Sequence, residues 1–129
     1  MPDSCHYDFH PGNVLGVDDR VQIIDWLTAG IGPPAMDVAR TLLILGSPFQ
    51  PPGLPLLLYP LVRHVRRILA SAYMAEYLVL SSLSRAEVDA WRIPVAAARL
   101  WEKVPGERDW LIDIVRAGAS PLGAPASGS

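Results

Sequence analysis

The order of apolar and polar positions divides the chain into a short β-rich part followed by helices. Residues 14–26, VLGVDDRVQIIDW, place β-branched and aromatic residues on both sides of a polar Asp18-Asp19-Arg20 segment, which predicts a β-hairpin. The next stretch, LTAGIGPP, contains two glycines and two prolines and predicts a loop. From residue 35 onward the apolar residues recur at helical spacing.

Four or five helices are predicted after the loop. The first covers residues 35–46 with Gly46 as its C-cap, and a longer one covers residues 54–81. Ser84 and Glu87 have the spacing of a capping box, and Pro94 interrupts the helix that begins there. The last helix covers about residues 107–116. The apolar residues expected to be buried on the longest and the last helix are Leu61, Val62, Val65, Ile68, Leu69, Ala72, Tyr73, Trp110, Leu111, Ile114 and Val115.

These elements predict an α+β, mainly α fold: a polar loop, a small β-hairpin and four or five helices. The 129 residues are 50% hydrophobic, which suffices for one compact domain, expected over residues 1–117. Residues 118–129 are rich in glycine, proline, alanine and serine and predict a disordered tail.

The composition indicates which kinds of partner the protein has and in which cellular compartment it is found. The net charge of −2 argues against a nucleic-acid partner, and the dense basic cluster at residues 63–67 is most simply a solvated helix face. Five prolines interrupt the apolar stretch at residues 42–62, so we expect no membrane span. The N-terminus lacks a signal-peptide pattern, and Cys5 is the only cysteine, which fits a cytoplasmic protein without an internal disulfide.

The stretch CHYDFHPGN at residues 5–13 concentrates chemically active side chains and allows three interpretations. His6, Asp8 and His10 alternate, so an extended backbone would present them together as ligands of iron or zinc. Alternatively, these side chains only satisfy the backbone of a turn. In the third interpretation Asp8 and Asn13 act together with Asp25, which follows the apolar run VQII.

The third interpretation explains the residue types by phosphoryl transfer. One carboxylate takes the proton of an acceptor hydroxyl, while an amide and a second carboxylate hold magnesium through hard oxygen atoms. The motifs HYDFHPGNVL and VQIIDW, followed by GPPAMDVARTLLIL, closely resemble the aminoglycoside phosphotransferase family, a protein-kinase-like group that also includes choline kinases. Tyr7 departs from this family's usual glycine, and Pro33 stands where many members have aspartate.

The resemblance implies roles for six residues. Asp8 is similar to the catalytic base, and Asn13 and Asp25 to the two magnesium ligands. Support of the catalytic loop is implied for three residues: His6, His10 and Asp37. For Asp37 a second interpretation stays open, a favourable negative charge at a helix N-terminus. No residue for substrate binding is implied.

The resemblance also implies an activity and partners. The reaction would transfer the γ-phosphate of ATP or GTP, with Mg²⁺, to a hydroxyl of a small molecule. Measured against the family pattern, the chain corresponds to a C-terminal lobe, and the nucleotide-holding lysine of an N-terminal lobe has no counterpart before Lys103. We therefore expect the isolated chain to have no appreciable turnover.

A non-catalytic role is the alternative to a kinase. The chain would then pair with a second copy, or with a chain supplying the N-terminal lobe, through apolar surface near Cys5, Val14 and Ile23.

Overall fold

The computed structural model describes residues 3–119, which form two small antiparallel sheets and five α-helices. In chain order the elements are β1 (Asp3–Cys5), β2 (Val14–Val17), β3 (Arg20–Ile23), β4 (Gly30–Gly32), α1 (Pro34–Gly46), α2 (Tyr59–Leu80), α3 (Arg85–Ala90), α4 (Arg92–Leu100) and α5 (Arg108–Ala119). Short 3₁₀ turns precede β2 and α2. The predicted α+β, mainly α class is confirmed.

The predicted hairpin is confirmed, with a tighter turn than expected. Strands β2 and β3 pair from Val14 opposite Ile23 to Val17 opposite Arg20. Arg20 therefore belongs to a strand, and Asp18 and Asp19 alone make the turn, with Asp18 at a positive φ of 52°. Aspartate tolerates this left-handed conformation better than most residues do, which explains its place there.

The prediction of a continuous loop after the hairpin is wrong at residues 30–32. These residues form β4, which pairs with β1 so that Cys5 lies opposite Gly30 and Asp3 opposite Gly32. A strand of three residues, two of them glycine, is too short to show an alternating pattern. Cys5, the last residue of β1, is buried, although uncovered surface was expected near it. Its thiol donates to the carbonyl of Gly32, and burial raises the pKa of that thiol.

Local signals place most helix ends correctly. Helix α1 covers the predicted range, although the C-cap is Ser47 rather than Gly46. The capping box is formed: the Ser84 hydroxyl accepts from the Glu87 amide, and the Glu87 carboxylate accepts from the Ser84 amide. The predicted interruption falls at Trp91, between α3 and α4. Helix α5 extends to Ala119, and the rest of the predicted tail lies outside the described residues.

The long helix differs from its prediction in length and in burial. Helix α2 begins at Tyr59, since the prolines before it allow only a 3₁₀ turn. Its core contacts come from the C-terminal half: Met74 is buried, and Tyr73, Tyr77 and Leu78 pack beside it. Five residues predicted to be buried are instead exposed: Leu61, Val65, Ile68 and Leu69, which are 41–58% exposed, and Ala72.

The core lies around α1, which contacts β1 and helices α2, α3 and α4. Its fully buried members come from four helices and α1 itself: Ala35, Val38, Ala39, Leu43, Met74, Val88, Val95, Ala96 and Leu111. On α5 only Leu111 is fully buried, while the other three predicted residues pack against the core and stay partly exposed. Within residues 3–119 no helix is long and apolar enough to cross a membrane.

Candidate active site

The loop from residue 6 to residue 13 connects β1 to the hairpin and is held by α1. The carboxylate of Asp37, in the first turn of α1, accepts hydrogen bonds from the backbone amides of His6 at 3.0 Å and Tyr7 at 2.8 Å. Each oxygen of the carboxylate therefore binds one amide. Because hydrogen bonds to an ionised group are the stronger kind, this pair of contacts sets the position of the loop.

His6 is buried and supports the loop through both ring nitrogens. Its Nδ1 accepts from the Asp8 amide at 3.2 Å, so Nε2 carries the proton and donates to the carbonyl of Ile24 at 2.9 Å. The edge of the ring meets the Trp26 indole, with ring centroids 4.6 Å apart. Both nitrogens are thus occupied, which leaves His6 unsuited to the iron or zinc site considered above.

Asp8 and Asn13, five residues apart in the sequence, lie in contact. The Asn13 side-chain Nδ2 donates to the Asp8 carbonyl at 2.8 Å and to the Asp8 carboxylate at 3.2 Å. This leaves Asn13 Oδ1 as the oxygen available to a cation. The Nε2 atom of His10 lies 3.8 Å from the Asp8 carboxylate, while its Nδ1 accepts from the Gly12 amide and caps the 3₁₀ turn.

Asp25 follows the residue that joins the hairpin to the end of the loop. The Ile24 amide donates to the Asn13 carbonyl at 2.9 Å, so the residue after Ile24 is held next to the end of the loop. Asp25 is exposed and has a positive φ of 59°, which turns the chain immediately after the strand. Among residues 3–119 no group of three or more histidine, cysteine or acidic side chains is placed to hold a metal ion. In the magnesium site that the resemblance implies, Asn13 and Asp25 would each offer a side-chain oxygen.

Tyr7 shows how the loop accommodates a residue in place of the family's glycine. Its φ of 62° lies in the left-handed region, which explains why glycine suits this position. The Tyr7 ring lies over Gly30 and Gly32 of β4, and a methyl group added at Gly32 would collide with the Tyr7 hydroxyl. The two glycines of β4 thus provide the space that the tyrosine needs.

Three contacts that hold the loop were not predicted from the sequence. The Arg40 guanidinium donates to the carbonyl of Tyr7, and the Thr28 hydroxyl donates to the carbonyl of His6 at 3.0 Å. The Phe9 ring stacks on Tyr73 of α2, with centroids 5.6 Å apart. Arg40 follows Asp37 by three residues and therefore lies on the same face of the helix, which could have indicated that it also contacts the loop. Nothing in the sequence indicated that Thr28 or Tyr73 would contact the loop.

The site coincides with the part of the chain that matches a protein-family model. Residues 4–59 match the model of a family described as the phosphotransferase enzyme family. No curated protein and no solved structure matches the chain. The matched range contains all six residues discussed above as site candidates, Asp8, Asn13, Asp25, His6, His10 and Asp37, and it indicates a phosphotransferase-type function.

Proposed function

We propose that this chain is the catalytic lobe of a kinase that transfers the γ-phosphate of ATP or GTP to a hydroxyl of a small molecule. The observation that carries the proposal is the fixed loop: Asp37 binds two of its amides, and Asn13 contacts Asp8. The family match over the same residues supports it. Relationship to aminoglycoside or choline kinases, and a cytoplasmic location, are part of the proposal.

In this proposal each side chain has one task. Asp8 accepts the proton of the acceptor hydroxyl, and Asn13 Nδ2 orients that carboxylate through the 3.2 Å contact. Asn13 Oδ1 and the Asp25 carboxylate are hard oxygen donors of the kind that suits Mg²⁺. When bound, the cation would neutralise charge on the phosphoryl oxygens. His6 and Asp37 act through the backbone, by holding the loop and the strand end in register.

Magnesium-dependent nucleotide binding by the 129-residue chain tests the assignment without requiring turnover. We expect Asn13→Ala and Asp25→Ala each to weaken MgATP binding at least about tenfold in calorimetric titrations, because each removes a ligand oxygen. Asp19→Ala, in the hairpin turn, removes the same charge from a nearby exposed position and should leave binding unchanged. Equal binding by all four proteins would refute the assignment. Preference for Fe²⁺ or Zn²⁺, lost in His6→Ala and His10→Ala, would favour the metal-centre interpretation.

The non-catalytic alternative is supported by the hairpin, and we propose a second copy of the chain as its partner. In the described residues the hairpin is a separate two-stranded sheet, so β2 and β3 each keep one unpaired edge. Its apolar side chains stay exposed: Leu15, Val17, Val21 and Ile23. Open edges with apolar side chains favour pairing with another strand.

Light scattering over a concentration series tests this pairing. We expect the parent chain to self-associate, and Val21→Lys to shift it toward monomer, because a charge on an edge strand opposes pairing. Leu57→Lys introduces the same charge at a residue that is 92% exposed, outside the hairpin, and should leave association unchanged. A parent chain that stays monomeric at every concentration would exclude the pairing.

A further inference from the structure

A groove lined by arginines lies at the end of α1 opposite to the one that holds the catalytic loop. Two adjoining cavities, of about 240 and 410 Å³, share Gln50, Arg63 and Arg67 in their walls. Arg66 and Trp110 line the first cavity, and Tyr59 and His64 line the second. We call this feature the cationic groove. Gly46, at the edge of the cationic groove, follows Asp37 by nine residues of helix, which corresponds to a rise of about 13 Å.

The positive charge of the cationic groove is not balanced by acidic side chains in the described part of the chain. No carboxylate lines either cavity, and the ion pairs found among residues 3–119 involve none of the groove's arginines. Arg63 and Arg67 are four residues apart on α2 and therefore lie one above the other on the same face. Two guanidinium groups at this spacing suit the oxygens of a phosphate-bearing ligand.

One wall of the groove is fixed by hydrogen bonds to the loop before α2, which a solvated helix face would not require. The Arg66 Nη1 donates to the carbonyls of Ser47 at 3.0 Å and Phe49 at 2.9 Å, fixing α2 against the preceding loop. The buried Ser47 hydroxyl accepts from the Phe49 amide at 3.1 Å and donates to the buried carboxylate of Glu107. The backbone of the loop at residues 47–49 is thus held against α2 before any ligand binds.

Gln50, which lines both cavities, carries a polar atom without a partner. The side-chain Oε1 of Gln50 is buried and has no hydrogen-bond partner, although buried polar atoms normally have one. Gln50 lines both cavities, so a ligand in the groove is within reach of its amide. The group of this side chain that can donate to an anion is its NH₂.

We propose that the cationic groove binds a small metabolite carrying two or more phosphate charges. The arginines supply the recognition, and the volume of the larger cavity falls in the range of small-molecule sites. The basic residues all lie on α2 and line one wall of a concave pocket, which favours a compact ligand over a nucleic acid or a membrane. This site is separate from the catalytic loop and does not depend on the proposed kinase activity.

Titration of the 129-residue chain with inorganic pyrophosphate, followed by calorimetry and NMR, tests the proposal. We expect the double variant Arg63→Gln/Arg67→Gln to bind pyrophosphate at least about tenfold more weakly than the parent chain. Both residues are exposed on α2, so the substitutions should leave the fold intact. The matched control Arg85→Gln/Arg92→Gln removes the same charge from exposed positions on α3 and α4 and should bind like the parent.

Four outcomes would overturn the proposal. The first is absence of pyrophosphate binding by the parent chain, and the second is an equal loss of binding in both double variants, which would indicate a non-specific charge effect. The third is parent-like binding by Gln50→Leu, which would exclude the amide from the site. The fourth is binding to phosphatidylserine vesicles or to single-stranded DNA in preference to pyrophosphate, which would assign the groove to a macromolecular surface.

Discussion

Replacing Glu107 by alanine is expected to lower the free energy of unfolding by about 3–5 kcal/mol, because the substitution removes the buried partner of Arg99 and leaves only the partly exposed Glu102 beside its charge. Glu107 is 1% exposed, and its two carboxylate oxygens accept from Arg99 Nε at 2.6 Å and Nη2 at 2.8 Å. Burial alone would lower the pKa of Arg99, but Glu107 and Glu102 raise it above its ordinary value, so the guanidinium stays charged. Urea denaturation monitored by circular dichroism measures the effect.

Glu102 offers the control for this prediction. It pairs with Arg40 at 2.7 Å and with Arg99 at 3.2 Å, but its side chain is 37% exposed. Glu102→Ala should therefore cost about 1 kcal/mol or less, as for other surface ion pairs. If the two single variants lost the same stability, the buried pair would not hold α4 to the segment before α5. The double variant Arg99→Met/Glu107→Leu should recover part of the loss, because it leaves no unpaired charge in the interior.

Replacing Asp37 by alanine is expected to cost about 3 kcal/mol or more, because two backbone amides lose a charged acceptor at once. Asp37→Asn keeps one acceptor oxygen and should cost about half as much. Denaturation gives the stabilities, and hydrogen exchange at the amides of His6 and Tyr7 reports the loop directly. We expect both amides to exchange faster in both variants.

The alternative role of Asp37, a negative charge at a helix N-terminus, predicts a smaller effect. Such a charge contributes about 0.3–1 kcal/mol. Asp109 occupies the first turn of α5, is exposed and forms a surface pair with Arg108, so Asp109→Asn measures an effect of that size. If Asp37→Ala lowered the free energy of unfolding no more than Asp109→Asn and left the exchange of both amides unchanged, the contacts of Asp37 with the loop would not stabilise the protein.

Features that depend on neighbouring residues were predictable from the sequence. The capping box joins residues three apart, and the contact between Asn13 and Asp8 joins residues five apart. The hairpin strands pair across a turn of two residues. In each case the interacting groups are brought together by local geometry, so their spacing along the chain is sufficient to predict the contact.

At one position, Asp37, the resemblance to a family predicted a contact between residues that are far apart in the sequence. It implied that Asp37 supports the loop, and the Asp37 carboxylate binds the His6 amide 31 residues away. The catalytic and metal-binding roles of Asp8, Asn13 and Asp25 stay predictions, tested by the titrations described above.

Tertiary structure alone decided the contacts that lacked a local or family signal. One such contact is the pairing of β1 with β4, and another is the hydrogen bond between Ser47 and Glu107, which are sixty residues apart. A third is the convergence of Gln50 with Arg63 and Arg67. So does the burial of α2: its apolar period identified a face, yet only the half near Met74 is covered. A periodic pattern reports where each side chain points on its own element, whereas burial and pairing depend on which other element lies opposite, and in this chain that is set by how the helices pack around α1.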